Sequence, residues 1–225
     1  MTIRPSATLV AEAKTQTRFA LQNALAAASF HRRVAELEDN NRGQRLGSFF
    51  DEILWSATAC IFCTSASLEA YANEVFEDRE KHFPEHAPTV IAEIWDRIEK
   101  EPSLDKLAFA LVLRNAPAFD RGSPPFQNAA ALIRLRNALT HFKPEWTNSD
   151  GEHARISSKL ENLFDGTPFI TGDRGLFPRR WASRSCTGWA VKSLIGIVLE
   201  FEKNGGLRTN VAEKLATLSE DQHRL

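Results

Sequence analysis

A chain of 225 residues, 43% hydrophobic and 25% charged, is long enough for a real core and has the make-up of an ordinary globular protein. Its formal net charge of −1 excludes a general electrostatic pull toward nucleic acid, so any RNA affinity must come from a local patch. Glu12, Lys14 and Arg18 interrupt any signal-peptide core, and no stretch reaches the roughly 18 uninterrupted apolar residues of a spanning helix. No membrane is expected.

Residues 6–40 read as one long helix. Ser6 is placed to cap it, and Leu9, Ala13, Phe19, Ala20, Ala24, Ala27, Val34 and Leu37 keep an imperfect helical period. Asn40, Asn41 and Gly43 break it. A second long helix runs over about 48–79, with Ile53, Leu54, Ala57, Ile61, Leu68, Ala72, Val75 and Phe76 as its apolar stripe. Cys60 and Cys63 lie inside it. With Cys186 as the remaining cysteine and no second pair, they do not complete a zinc site. They read as buried thiols of a reducing compartment, the cytoplasm. Glu69 and Asn73, one helical turn apart, form a polar pair in this otherwise apolar region.

Prolines punctuate residues 83–125, which read as an insertion of two shorter helices near 88–100 and 103–114. From Glu69 to Asp105 there are eleven acidic against four basic residues, so this surface should repel RNA unless a partner covers it. Residues 126–142 then place Leu132, Leu135, Leu139 and Phe142 on one face of a helix that ends before Pro144. Arg136 falls at the edge of that face, with Asn137 and His141 further round. Ile133 is apolar but sits on the polar flank, where a covering partner would explain it.

An arginine, an amide and a titratable imidazole at a helix end suit an anionic ligand or phosphodiester chemistry. Arginine grips phosphate oxygens in a bidentate way, and histidine exchanges a proton near neutral pH.

After the motif comes a second irregular insertion, 146–181, with a short helix over 152–164. Arg174, Arg179, Arg180, Arg184 and Lys192 then occur without an acidic residue and are interleaved with Phe177, Trp181 and Trp189. Cations that track phosphates and aromatics that stack on bases make this a candidate RNA surface. Aromatics tucked against the bundle are the other reading. Residues 183–203 form an apolar closing helix stopped by Gly205-Gly206, and Val211, Leu215 and Leu218 suggest one more short helix. Nothing alternates as strand, so the chain reads as a single all-α domain.

Arg136-Asn137-Ala138-Leu139-Thr140-His141 resembles the signature of HEPN domains, in which an arginine, a polar residue and a histidine lie near the end of the third helix. The resemblance implies an up-down four-helix bundle, here with inserted short helices and an extra C-terminal helix. It implies a metal-independent RNA endonuclease without a cofactor, often a toxin or anti-phage effector, with its site formed across a homodimer. An antitoxin or another defence-system protein is then an expected partner. Arg136, Asn137 and His141 would be the catalytic set, Glu69 and Asn73 would approach them from the second helix, and Ile133 would lie in the dimer contact. The alternative is a non-catalytic module that uses the same residues for dimerisation or for binding a nucleotide.

Overall fold

The computed structural model describes residues 17–146, 151–172 and 175–207, and beyond them 209, 211, 214, 215 and 217. Ser6, Leu9, Ala13, Arg174 and Leu218 of the sequence reading lie outside these. Among the described residues the chain is helical throughout, without a strand: α1 (Ala20–Asn40), α2 (Phe49–Glu77), α3 (Arg79–His82), α4 (Pro88–Ile98), α5 (Ser103–Leu113), α6 (Pro124–Thr140), α7 (Glu152–Leu160) and α8 (Arg184–Gly205).

The start of α1 departs from expectation. Arg18 and Phe19 precede the helix instead of lying within it. No side chain of α1 caps its first turn; Glu74 Oε1 of α2 accepts the amides of Phe19 and Ala20, each at 2.9 Å. Arg18 meanwhile forks onto both carboxylate oxygens of Asp78. The helix therefore begins where a tertiary partner meets its unpaired N–H groups.

Long-range pairs fix the directions of the main helices. Ser67 donates to Ala20 O and Arg33 pairs with Glu52, so α1 and α2 are antiparallel. The Cys60 thiol faces Thr187 and Tyr71 donates to Glu202, so α2 and α8 run the same way. Trp189 donates to Asn128 and Ser123 to Glu200, which makes α6 antiparallel to α8. One core cluster joins the C-terminal half of α2 to α5, the start of α6 and the end of α8. The other joins Phe50, Ile53, Ala57 and Ile61 of α2 to Leu132 and Leu135 of α6 and to the irregular segment before α8. By length and composition α2 is able to cross a membrane, but half of its most apolar window is buried inside this chain.

Two segments expected as insertions help to build the core. In α5, Leu104, Leu107, Ala110 and Leu111 are buried. In the stretch before α8, Phe164, Phe169, Phe177 and Trp181 are buried, with Trp181 fully enclosed. Both ends of α8 follow local rules: Ser183 accepts from Cys186 N at the start, and Gly206 at φ 60° takes the left-handed turn that closes it. Past it, Val211, Lys214, Leu215 and Thr217 are helical and Leu215 is buried.

Candidate active site

The helix that carries the motif starts earlier than its apolar pattern suggests. Ser123 caps it, and Pro124 and Pro125 occupy the first turn, where a missing N–H costs nothing. It also ends sooner, at Thr140. His141 is the residue that closes it, at φ −107° and ψ 34°, with its own N–H still donated to Asn137 O at 2.9 Å. His141 therefore stands just beyond the last turn, at the carbonyl end of the helix.

Leu132 and Leu135 are fully buried, as the pattern predicts. Leu139 is only half-buried and Phe142 is 48% exposed, because the helix has ended and the bundle thins out here. Phe142 is partly covered by His153, stacked at 5.2 Å, and by Phe177 at 6.0 Å. Arg136 is half-buried at the margin of the apolar face, whereas Asn137 and His141 are exposed. None of the three side chains makes a hydrogen bond or ion pair with another described residue, so guanidinium, amide and imidazole all retain their capacity for a ligand.

The structure separates Glu69 and Asn73 from this set. Glu69 accepts from Ser103 and Lys106, and Lys106 Nζ also donates to Asn73 Oδ1 at 3.0 Å. Both residues thus face α5, in the half of α2 remote from the end of α6. Ile133 is half-buried and packs on the first core cluster, so its apolar character is met within the chain.

The basic segment is likewise used internally. Phe177, Trp181 and Trp189 are buried and cannot stack on bases. Arg179 is exposed and lies over the Phe50 ring at 5.5 Å. Arg180 donates to Gly172 O at 3.0 Å, and Arg184 pairs with Asp39 at 3.3 Å. The aromatics that interrupt this run are anchors that hold the loop to the bundle.

Sequence reasoning missed what surrounds His141. Trp146 is 86% exposed, the largest exposure among the described bulky apolar residues, and Lys143 is exposed between the two. Glu145 turns away to cap α7, accepting from Glu152 N at 2.8 Å and His153 N at 3.1 Å. His153 Nε2 donates to Lys143 O at 2.9 Å. The local signal was Glu145 ahead of Gly151 and a helix start; Lys143 stays exposed.

Cys60, Cys63 and Cys186 are free thiols, and burial pushes Cys60 up to about 12. Among the described residues no three His, Cys, Asp or Glu side chains converge as metal ligands. Comparison with models of known families, with curated proteins and with solved structures finds no match.

Proposed function

We propose that this protein is a metal-independent RNA endonuclease of the HEPN type, built on an up-down four-helix bundle of α1, α2, α6 and α8. The observation that carries the reading is the end of α6, where Arg136, Asn137 and His141 stand at the surface with no side-chain partner among the described residues. The alternating directions of those helices support the bundle. Trp146 and Lys143 support the substrate class, since an exposed aromatic offers a base a stacking face and an ammonium beside it meets a phosphate.

In this reading the substrate's 2′-hydroxyl attacks the adjacent phosphorus, and the 5′-oxygen of the next nucleotide leaves. His141 takes or gives the proton at one of these two oxygens, and solvent serves the other. Arg136 stabilises charge on the non-bridging oxygens as the phosphorane forms. Asn137, one turn before His141, orients the phosphate. Arg179 is the described member of the basic segment best placed to meet the strand further along, being exposed.

The test is cleavage of single-stranded RNA by the wild type, His141→Ala and Arg136→Ala. Both variants should lose cleavage while retaining the helical circular dichroism of the wild type. Full activity in either one overturns the reading.

A further inference from the structure

On α8, Ser185, Trp189, Lys192 and Ser193 share one helical face. Asn128 of α6 and Leu163 of the segment before α8 complete the lining of a cavity of about 320 Å³ over them. That size is at the low end of pockets that take small molecules.

The polar groups of this cavity are donors with nothing to donate to. Trp189 Nε1 donates to Asn128 Oδ1 at 3.3 Å. An indole nitrogen is a donor only, so this bond turns the amide oxygen to the ring and leaves both amide N–H groups unspent. Ser185 Oγ accepts from Asp165 N at 2.9 Å, and its own hydrogen goes to no described residue. Lys192 is exposed, and its ammonium forms no ion pair or hydrogen bond with a described residue. Ser193 already gives its hydrogen to Trp189 O at 2.7 Å and adds no donor.

Charge points the same way. The cavity beside Lys81 also holds Glu74 and Asp78, and the cavity beside Arg42 holds Glu38 and Asp39. Here no carboxylate lines the wall, that of Asp165 included. Arg32 of α1, exposed and without an ion pair among the described residues, stands with Lys192 near His31 and adds to the positive potential. The lining therefore has spare hydrogens and spare positive charge, and lacks acceptors. A phosphoryl group brings three strong acceptor oxygens and a charge of about −1.5 to −2 as a monoester, where a carboxylate brings two oxygens and a single charge.

We infer that this cavity binds a phosphoryl group through Lys192, Asn128 and Ser185, carried either by a free phosphate monoester or by a phosphodiester strand. The inference does not depend on the ribonuclease reading. Asn128 lies thirteen residues before His141, roughly 20 Å at 1.5 Å per residue, so the two places are separate.

Calorimetric titration of the full chain with uridine 5′-monophosphate, with uridine and with a 2′-O-methyl RNA strand tests it; the methyl groups remove the nucleophile and leave the phosphates. A phosphate-bearing probe should bind and uridine should not. Lys192→Gln should weaken that binding at least about tenfold, and Lys192→Arg should keep it. Asn128→Asp keeps an acceptor for the Trp189 N–H but sets a carboxylate in the cavity, and should abolish binding with unchanged circular dichroism. Tighter binding of the monophosphate identifies a free ligand. Tighter binding of the strand, with a salt slope that falls by about one in Lys192→Gln, identifies a backbone contact. No binding of either phosphate probe, or binding that both Lys192→Gln and Asn128→Asp leave unchanged, overturns the inference. Equal displacement by acetate overturns the choice of a phosphoryl group.

Discussion

At the residue scale, the motif residues and their neighbours should separate cleanly into chemistry and support. His141 is exposed and Arg136 half-buried, so truncating either should change stability by about 1 kcal/mol or less. Leu135, fully buried just before Arg136 in sequence, should cost roughly 2–5 kcal/mol on replacement by alanine. The half-buried Leu139 should fall below it. Urea unfolding of the four variants checks the order, and a His141→Ala loss as large as that of Leu135→Ala would make the histidine structural. A second residue-scale prediction concerns His31. Its Nδ1 is hydrogen-bonded to Thr187 Oγ1 at 2.8 Å. Burial, with Arg184, Lys192 and Arg32 nearby, lowers its pKa from 6.5 to about 4. Between these values the unfolded chain binds a proton that the folded chain does not, so stability falls as pH drops through that window and is unaffected by this group above it. The urea midpoint should decline from pH 7 to pH 5, and decline less in His31→Asn. Equal slopes in the two proteins would show that the ring is not held neutral.

At the scale of elements, α2 and α5 are held by an asymmetric ion pair. Lys106 is 1% exposed but the Glu69 side chain is 40% exposed. Removing the carboxylate strands a buried ammonium, whereas removing the lysine leaves a carboxylate that water still reaches. Glu69→Ala should therefore cost more, about 2–3 kcal/mol, than Lys106→Met. Thermal melts of the two variants decide it, and the reverse order would mean that Asn73 and the Trp95 ring, 5.4 Å from the ammonium, hold the charge by themselves. This pair also shows where legibility ended. Glu69 and Asn73 were visible as a polar couple, but periodicity says which face a residue takes and not which helix arrives there. The same limit applied to the basic run before α8, where aromatics that might stack on bases turned out to be core. By contrast, helices whose signals are local were legible almost to the residue: α4 after Ala87-Pro88, α8 between Ser183 and Gly206, and the apolar seam of α6 at Leu132 and Leu135. The exposure of Asn137 and His141 was also legible, because helical spacing turns both away from the apolar face; the end of α6 one residue before His141 was not.

At the scale of the whole molecule, the helix directions decide where the proposed chemistry sits. Because α6 runs antiparallel to α2, its His141 end lies beside the start of α2, where Leu135 shares a core with Phe50 and Ile53. If the site is shared between two chains, as the HEPN resemblance implies, mixing Arg136→Ala with His141→Ala chains should restore part of the cleavage. Unrestored cleavage would confine each site to one chain. The chemistry itself should survive excess EDTA and leave a 2′,3′-cyclic phosphate, because its nucleophile comes from the substrate; loss that magnesium reverses would transfer the reaction to other groups. One earlier feature reaches across the whole chain in another way. The first amides of α1 are received by Glu74, some 55 positions downstream. That turn has no local lock, so it can only persist once α2 has formed and docked. Deuterium uptake at Phe19 and Ala20 should therefore report the opening of α1 away from α2 rather than fraying of α1 itself, and Glu74→Gln should speed it without affecting exchange at the self-capped start of α8.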